Sequence, residues 1–183
     1  YLLQPWEKTW HAAIAFLDRW AEKFPDVEWM YVPQAVEGDR SGWRTSMFKG
    51  AEEPRVSWIG IPRAYATHIA CRPLARVDEI SSLVNFYKRK VHCLGMLAGD
   101  VHELHYLEKA GCTSIDSSAP VWRGWNGYSL KSFEDSIWPD YPMDFDAKIH
   151  SDVVRWKRYD GIILDNLEAC GIDTANARRD GKV

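Results

Sequence analysis

A carboxylate followed by small residues is the most promising candidate for chemistry in this sequence. Asp116 follows a short β-prone run at residues 113–115 and precedes Ser117, Ser118 and Ala119. In β/α architectures the active site lies at the carboxyl ends of the strands, and small neighbours keep a carboxylate reachable. We therefore predict that Asp116 is the working residue. The alternative is an aspartate that makes only local hydrogen bonds at a turn.

A strand–helix–strand unit must position Asp116. Residues 91–97 predict the first strand, and Asp100 with Glu103 predicts a capping box that starts the next helix. Gly111 is expected to end that helix. The helix itself is indicated by apolar residues at helical spacing, namely Val101, Leu104 and Leu107.

The remaining elements are predicted from apolar spacing and from proline and glycine stops. We expect helices over residues 6–24, 78–87 and 151–170, strands over residues 28–32 and 56–61, and a weakly patterned segment over residues 43–48. The first helix would bury one stripe, formed by Trp10, Ala13, Leu17, Trp20 and Phe24. Residues 122–150 predict a long functional or docking loop, and residues 172–183 predict a mobile tail.

Four strands that alternate with helices predict parallel β/α units, so the fold class is α/β. A closed (β/α)8 TIM barrel needs eight strands. The chain is therefore predicted to be a single partial domain over residues 1–183, corresponding to the C-terminal half of such a barrel. Half a barrel should be inactive and poorly stable alone, so we expect an N-terminal half or a partner chain.

Composition gives no indication of a highly basic nucleic-acid-binding protein or of a membrane-spanning protein. The formal net charge is -3, so any nucleic-acid binding must depend on local basic patches. The ten tryptophans suit a groove or an interface as well as a core. No apolar run reaches membrane-spanning length, and no signal peptide is visible. We expect a cytoplasmic protein that binds no membrane.

The four cysteines are widely scattered and form no zinc-binding motif. Cys93 and Cys112 are predicted to be small core residues rather than reactive thiols. His102 and His105 are three residues apart, unlike the HExxH spacing, and favour a solvated helix face. We expect neither a metal nor another cofactor.

The strand endings resemble those of the tRNA-guanine transglycosylase superfamily, which includes phage and bacterial enzymes that insert 7-deazaguanines into DNA. The likeness extends over about residues 6–130 and rests on the order of several short motifs. These are Tyr-Val-Pro-Gln at residues 31–34, Ile-Gly-Ile at 59–61, Val-His-Cys-Leu-Gly at 91–95, and Ser-Ile-Asp-Ser-Ser-Ala-Pro at 114–120.

The resemblance implies an exchange of bases in nucleic acid. Asp116 would attack the sugar C1′, expel guanine and hold the sugar covalently until an incoming 7-deazaguanine displaces the enzyme. Gln34 would read the edge of the base, and Gly60 would let the backbone approach it. Leu94 would cover the face of the ring beside Gly95, which belongs to the same base-binding motif.

The resemblance also implies nucleic acid, either DNA or tRNA, as a partner, with DNA slightly preferred. Arg123 and Asn126 match the Arg- and Asn-rich nucleic-acid loop of the superfamily. Lys88, Arg89 and Lys90 could contact phosphates. Together with Arg63, Arg72 and Arg76 they would form a basic rim. Lys88 and Arg89 equally suit a solvated helix end, and Arg123 equally suits the interface of a homodimer or of a complex with a partner chain.

The sequence departs from the superfamily in three respects. One is a further pocket Asp, which the resemblance places just before the first helix, at or upstream of Tyr1. The second carboxylate, the general acid/base, belongs to an early strand that this chain does not contain. The zinc site after the nucleophile strand is absent, since residues 122–150 contain no cysteine. The DNA-modifying branch is the better analogue if it tolerates that loss.

Two other hypotheses remain. One is a non-catalytic barrel subunit or nucleic-acid-binding module of the same superfamily, which keeps the barrel without the acid/base carboxylate. The other is a different β/α-barrel hydrolase that uses Asp116 in another role.

Overall fold

The computed structural model describes residues 3–96, 101–125, 127, 129–130 and 153–175. The chain divides into two compact units, whereas the sequence predicted a single domain. The first unit comprises Tyr1–Leu97 and His105–Asp116, and the second comprises Ala98–Leu104 and Ser117–Val183.

The first unit is built on a four-stranded parallel sheet, which confirms the predicted α/β class. The strands are β1 (Trp29–Tyr31), β2 (Val56–Pro62), β3 (Lys90–Leu94) and β4 (Ser114–Asp116). They neighbour one another in chain order, β1-β2-β3-β4. Since all four run in parallel, their carboxyl ends share one edge of the sheet.

Helices connect these strands. They are α1 (Trp6–Trp20), extended by a 3₁₀ turn (Ala21–Lys23), α2 (Arg40–Glu52), a π-helical turn (Tyr65–Ile69), α3 (Ala75–Asn85) and α4 (Val101–Lys109). The predicted stripe on α1 is correct at Leu17, which is buried, but wrong at Phe24, which is 48% exposed. Phe24 lies beyond the 3₁₀ turn, where the helical register no longer holds.

Helix α2 was not predicted, because glycines and polar residues interrupt its apolar pattern. The Asp39 side chain caps its start by accepting a hydrogen bond from the Gly42 amide at 2.8 Å. Trp43, Met47 and Ala51 follow at spacings of four residues and are all buried. The weakly patterned segment over residues 43–48 therefore belongs to a core helix, whose buried stripe is Trp43, Met47 and Ala51.

The two faces of the sheet differ. One, here called the core face, packs against the helices and includes Tyr31, Ile59, Ile61, Val91, Cys93 and the partly buried Ile115. The other, here called the open face, alternates with it along each strand and includes Met30, Trp58, Gly60, Pro62, Lys90, His92, Leu94, Ser114 and Asp116. The buried residues of the core face are at most 4% exposed, whereas Met30 on the open face is 45% exposed.

A buried carboxylate joins the helical layer that covers the core face. Glu79 on α3 is 1% exposed and accepts a hydrogen bond from the Tyr65 hydroxyl at 2.6 Å. Arg40 and Arg44 of α2 reach the same carboxylate at 3.4 and 3.2 Å. The Tyr65 ring stacks on Trp43 with centroids 3.8 Å apart. One acidic side chain thus ties α2, the π-helical turn and α3 together.

The second unit contains helices α5 (Ala119–Trp125) and α6 (Val153–Ala169). A Cβ at Gly124 would lie 2.6 Å from the Ile163 Cα, so only glycine allows this close approach of the two helices. The buried Asn166 accepts a hydrogen bond from the Leu130 amide and donates one to the Pro120 carbonyl. These contacts place α5 against α6.

The predicted loop over residues 122–150 is wrong at residues 122–125, which are helical in α5. Packing of α5 against α6 favours the helix over the loop that the local composition indicated. Residues 131–150 lie outside the described residues, as does the greater part of the predicted tail, residues 176–183. The last helix was predicted correctly and ends before Gly171, whose φ is 80°.

In the described part of the chain, none of the helices combines the length and the apolar character that a membrane span requires.

Candidate active site

Asp116 is the last residue of β4 and lies at the carboxyl edge of the sheet, as predicted. Its Oδ1 accepts a hydrogen bond from the Gly95 amide at 2.9 Å, and its backbone carbonyl lies 3.1 Å from the same nitrogen. The side chain is 65% exposed. Among the described residues, no hydrogen bond engages Oδ2. One carboxylate oxygen is therefore held while the other is presented to solvent.

His92 is a second titratable group at this site. Its Nε2 lies 3.4 Å from Asp116 Oδ1, and its Nδ1 lies 2.8 Å from Ser114 Oγ. The register places His92 beside Ser114 and the preceding strand's Gly60 in one row across the sheet. His92 therefore links the hydroxyl and the carboxylate of β4 through its two ring nitrogens.

Sequence reasoning gave His92 no part in the site. The signal that could have found it is the alternation of a strand, since His92 and Leu94 share a face. A short parallel pairing of β3 with β4 then sets that face beside Ser114 and Asp116.

Both backbone polar groups of Gly95 are held by hydrogen bonds. Its amide holds Asp116, and its carbonyl accepts a hydrogen bond from Arg76 Nη1 at 2.8 Å. Gly95 has a φ of 77°, a conformation that favours glycine and turns the chain at the end of β3. Arg76 is fully buried, so it cannot belong to an exposed basic rim. It supports the residue that orients the carboxylate.

Arg63 is the predicted phosphate-binding residue that the structure places at this edge. It follows β2 directly and is exposed. A Cβ built on Gly95 would lie 3.6 Å from the Arg63 Cβ, so the Arg63 backbone flanks the turn that holds Asp116.

Gly60 and Leu94 also meet on the open face. A Cβ at Gly60 would lie 2.8 Å from Val32 Cγ2, 3.0 Å from Leu94 Cδ1 and 3.2 Å from Met30 Sδ. The space above Gly60 is therefore filled by the stiff side chain of Val32 and by the more flexible ends of Leu94 and Met30. A planar ring could reach the Gly60 backbone only if all three side chains move.

Gln34 follows β1 at the same edge of the sheet. Its Oε1 is buried and has no hydrogen-bond partner among the described residues. A buried acceptor without a donor costs about 1–3 kcal/mol. A ligand's N–H group could pair with this oxygen only if the atoms that cover it move.

Lys88 and Arg89 lie at the opposite edge of the sheet from Asp116, because they precede β3. Arg89 donates hydrogen bonds to the carbonyls of Ala51 and Glu53 at 2.8 and 3.2 Å, which caps the end of α2. The structure thus does not bring these two residues to the candidate site.

Arg123 does not lie on a surface. It is 1% exposed within the second unit, so the predicted contact with phosphates conflicts with its burial. Asn126, predicted to share that role, lies outside the described residues. In the part of the chain that the structure describes, there is no group of three or more side chains suited to hold a metal ion.

No family model, no curated protein and no solved structure matches the chain. The chemistry must therefore be inferred from the site itself. An exposed carboxylate, oriented through one oxygen and flanked by an imidazole, can act as a nucleophile or as a general base.

Proposed function

We propose that this chain is part of a guanine transglycosylase-like enzyme, a pentosyltransferase that exchanges guanine for a 7-deazaguanine in nucleic acid. The observation that carries the proposal is the Asp116 carboxylate, held through Oδ1 by Gly95 and presenting Oδ2 to solvent. The order of Gln34, Gly60, Leu94 and Asp116 along successive strand ends supports it.

In the proposed reaction, Asp116 Oδ2 attacks the sugar C1′, and an ester bond forms as the C1′–N9 bond breaks. Guanine leaves with the electron pair of that bond and takes up a proton. The N9 of the 7-deazaguanine then attacks C1′ and loses its proton, and the Asp116 carboxylate leaves. Covalent catalysis divides one difficult substitution into two easier ones, as in retaining glycosidases.

Gly95 and His92 position the nucleophile. Both contact Oδ1, which leaves Oδ2 to attack, and a protonated His92 would stabilise Asp116 when it departs as an anion. In an in-line displacement the base leaves from the face of the sugar opposite Asp116. His92 is therefore on the wrong side to protonate guanine, and another group must do so.

Recognition of the base is assigned to the open face. The unpaired Gln34 Oε1 would accept a hydrogen bond from an N–H group on the edge of the base. Leu94 would cover the ring above Gly60 after moving from its present position. The target nucleotide must leave its stack to reach this site, which costs about a few kcal/mol in a duplex.

The partial-barrel fold belongs to the same proposal. The strand order has no reversal, and in the described part of the chain helices α1 to α4 pack against the core face through Leu17, Met47, Leu83 and Leu107. A doubly wound sheet would instead carry helices on both faces. We assign the open face to the interior of a (β/α)8 barrel that the N-terminal half or a partner chain completes.

The partners proposed are the nucleic acid and the incoming base. Arg63 is the basic residue at the correct edge to contact a phosphate. DNA is preferred over tRNA if the DNA-modifying branch tolerates the loss of the zinc site of the superfamily, since residues 122–150 contain no cysteine.

One observation favours a second candidate, a hydrolase. Ser114, His92 and Asp116 form a chain of side chains at 2.8 and 3.4 Å, which could activate the Ser114 hydroxyl as a nucleophile. In that case Asp116 would orient His92 and would form no covalent bond itself.

The test is to trap the covalent intermediate. The intact protein is incubated with guanine-containing DNA or tRNA and denatured, and the adduct is resolved by gel electrophoresis. We expect an adduct with the wild type and Ser114→Ala, and a loss of more than about a thousandfold with Asp116→Asn. The exposed Asp26→Asn is the matched control and should retain the adduct.

Equal trapping by Asp116→Asn would contradict the assignment of the nucleophile. If Ser114→Ala loses the adduct while Asp116→Asn still forms part of it, the result would favour the hydrolase. Binding of nucleic acid by a wild type that forms no adduct would favour the non-catalytic module.

A further inference from the structure

Two thiols lie side by side beneath the strands that carry the candidate site. Cys112 Sγ is 3.5 Å from Cys93 Sγ, and both cysteines are reduced. Cys93 is on the core face of β3, and Cys112 lies two residues before β4. The chain thus places two oxidisable groups on neighbouring segments of the sheet.

The backbone holds this pair in place. The Cys112 amide donates to the Leu107 carbonyl at 2.9 Å, and the Thr113 amide donates to the Val91 carbonyl at 2.9 Å. Thr113 Oγ1 also accepts a hydrogen bond from the Val91 amide at 3.1 Å. A disulfide requires the sulfurs to approach by about 1.5 Å from their present separation of 3.5 Å.

The two thiols differ in access. Cys93 is fully buried, whereas Cys112 is half-buried, so an oxidant in solution meets Cys112 first. The hydrogen bond with Cys93 lowers the pKa of Cys112 to about 7, against the opposing effect of burial. A thiolate is the reactive form of cysteine, which suits Cys112 for the attacking role.

We propose that Cys112 and Cys93 form a reversible disulfide, with Cys112 as the attacking thiol and Cys93 as the resolving thiol. The oxidant is a small-molecule disulfide, which the Cys112 thiolate attacks to form a mixed disulfide and release one thiolate. Cys93 then loses its proton, attacks the Cys112 sulfur and releases the second small thiol. Two protein thiols are oxidised while one disulfide is reduced to two thiols.

The bond would join β3 to the segment before β4. The contact between Gly95 and Asp116 spans the same two strands, so the disulfide would link the elements that position the candidate nucleophile. The inference does not depend on the proposed function, because it concerns only the two thiols.

The test uses glutathione disulfide as the oxidant. The intact protein is treated, its remaining thiols are alkylated, and the peptides are identified by mass spectrometry. We expect a peptide that links Cys93 to Cys112, with the exposed Cys71 forming only a mixed disulfide. Cys93→Ser should accumulate the mixed disulfide on Cys112, and Cys112→Ser should leave Cys93 reduced.

A wild-type protein that keeps both thiols while Cys71 reacts would overturn the proposal. The wild-type measurement needs no variant, so it decides even if a substitution prevents folding. Cys93→Ser is expected to carry more mixed disulfide on Cys112 than the wild type does. If both carry the same low level, the resolving role of Cys93 is contradicted.

Discussion

The two faces of the four-stranded sheet are built from the same strands but differ in burial and in the side chains that they carry. On β3, Val91 and Cys93 point to the core face and are fully buried. His92, between them, points to the open face, where it reaches Ser114 and Asp116. Because side chains alternate along a strand, each buried residue of β3 has a neighbour on the open face.

The open face also differs from one end to the other. At its amino end, Glu28 accepts hydrogen bonds from Trp58 at 2.8 Å and Lys90 at 2.6 Å. The Lys90 hydrogen bond lowers the pKa of Glu28. At the carboxyl end, Asp116 keeps one oxygen without a hydrogen-bond partner among the described residues. Polar groups thus pair with each other away from the candidate site and are left reachable within it.

The largest effect on stability is expected from matched substitutions on the two faces. Ile61→Ala leaves a cavity under fully buried neighbours and should lower the free energy of unfolding by about 2–5 kcal/mol. Met30→Ala on the open face should cost below about 1 kcal/mol. Denaturant unfolding of both variants measures the difference. Equal losses would show that the open face is also a packed core.

The buried carboxylate in the helical layer should produce the next largest effect. Glu79→Ala removes the hydrogen-bond acceptor of the Tyr65 hydroxyl, so we expect a loss of about 1–3 kcal/mol in unfolding free energy. Arg40 and Arg44 are 44% and 43% exposed, so solvent screens the contribution of their ion pairs with Glu79 to stability. Denaturant unfolding measures this loss, and the exposed Glu108→Ala is the control. No loss in Glu79→Ala would mean that the cluster contributes nothing to the fold.

Substitution of His92 tests whether this residue of the open face contributes to the proposed reaction rather than to the stability of the fold. His92→Ala removes one contact to Asp116 Oδ1 and should slow adduct formation by about 10- to 100-fold. Its unfolding free energy should change by less than about 1 kcal/mol. The exposed His105→Ala should leave both quantities unchanged. A large loss of stability with an unchanged adduct rate would assign His92 to the fold instead.

The smallest effect is expected at alkaline pH. Burial, followed by the hydrogen bond to Glu79, raises the pKa of Tyr65, so the folded protein keeps the phenol proton to a higher pH. The resulting stability is present below the unfolded pKa near 10.0 and is lost as pH rises beyond it. Tyr65→Phe should therefore show a shallower fall in stability above pH 10.0. Burial also raises the pKa of Tyr31, so some fall should persist.

The strands and the edge that carries Asp116 could be predicted from the sequence, because apolar runs and their stops are local signals. The helix around Trp43 and Met47 could not, since glycines and polar residues interrupt its apolar pattern and its packing in the core is a tertiary contact. The partial barrel remains a prediction, because the structure establishes only the parallel α/β sheet.

The candidate site was predictable only in part. Asp116 and Gly95 were predicted on the strand ends where the structure places them together. The burial of Arg123 and the capping role of Arg89 arise from tertiary contacts that no local pattern reveals. His92 could have been found from the alternation of β3, once the pairing with β4 was considered.

The most direct measurement locates the sugar on the trapped protein. The wild-type adduct is digested, and the modified residue is identified by tandem mass spectrometry. We expect the sugar on Asp116 in the peptide that contains Ser114, and no modified peptide from Asp116→Asn. A sugar on any other side chain, or an adduct of unchanged yield in Asp116→Asn, would contradict the proposed mechanism.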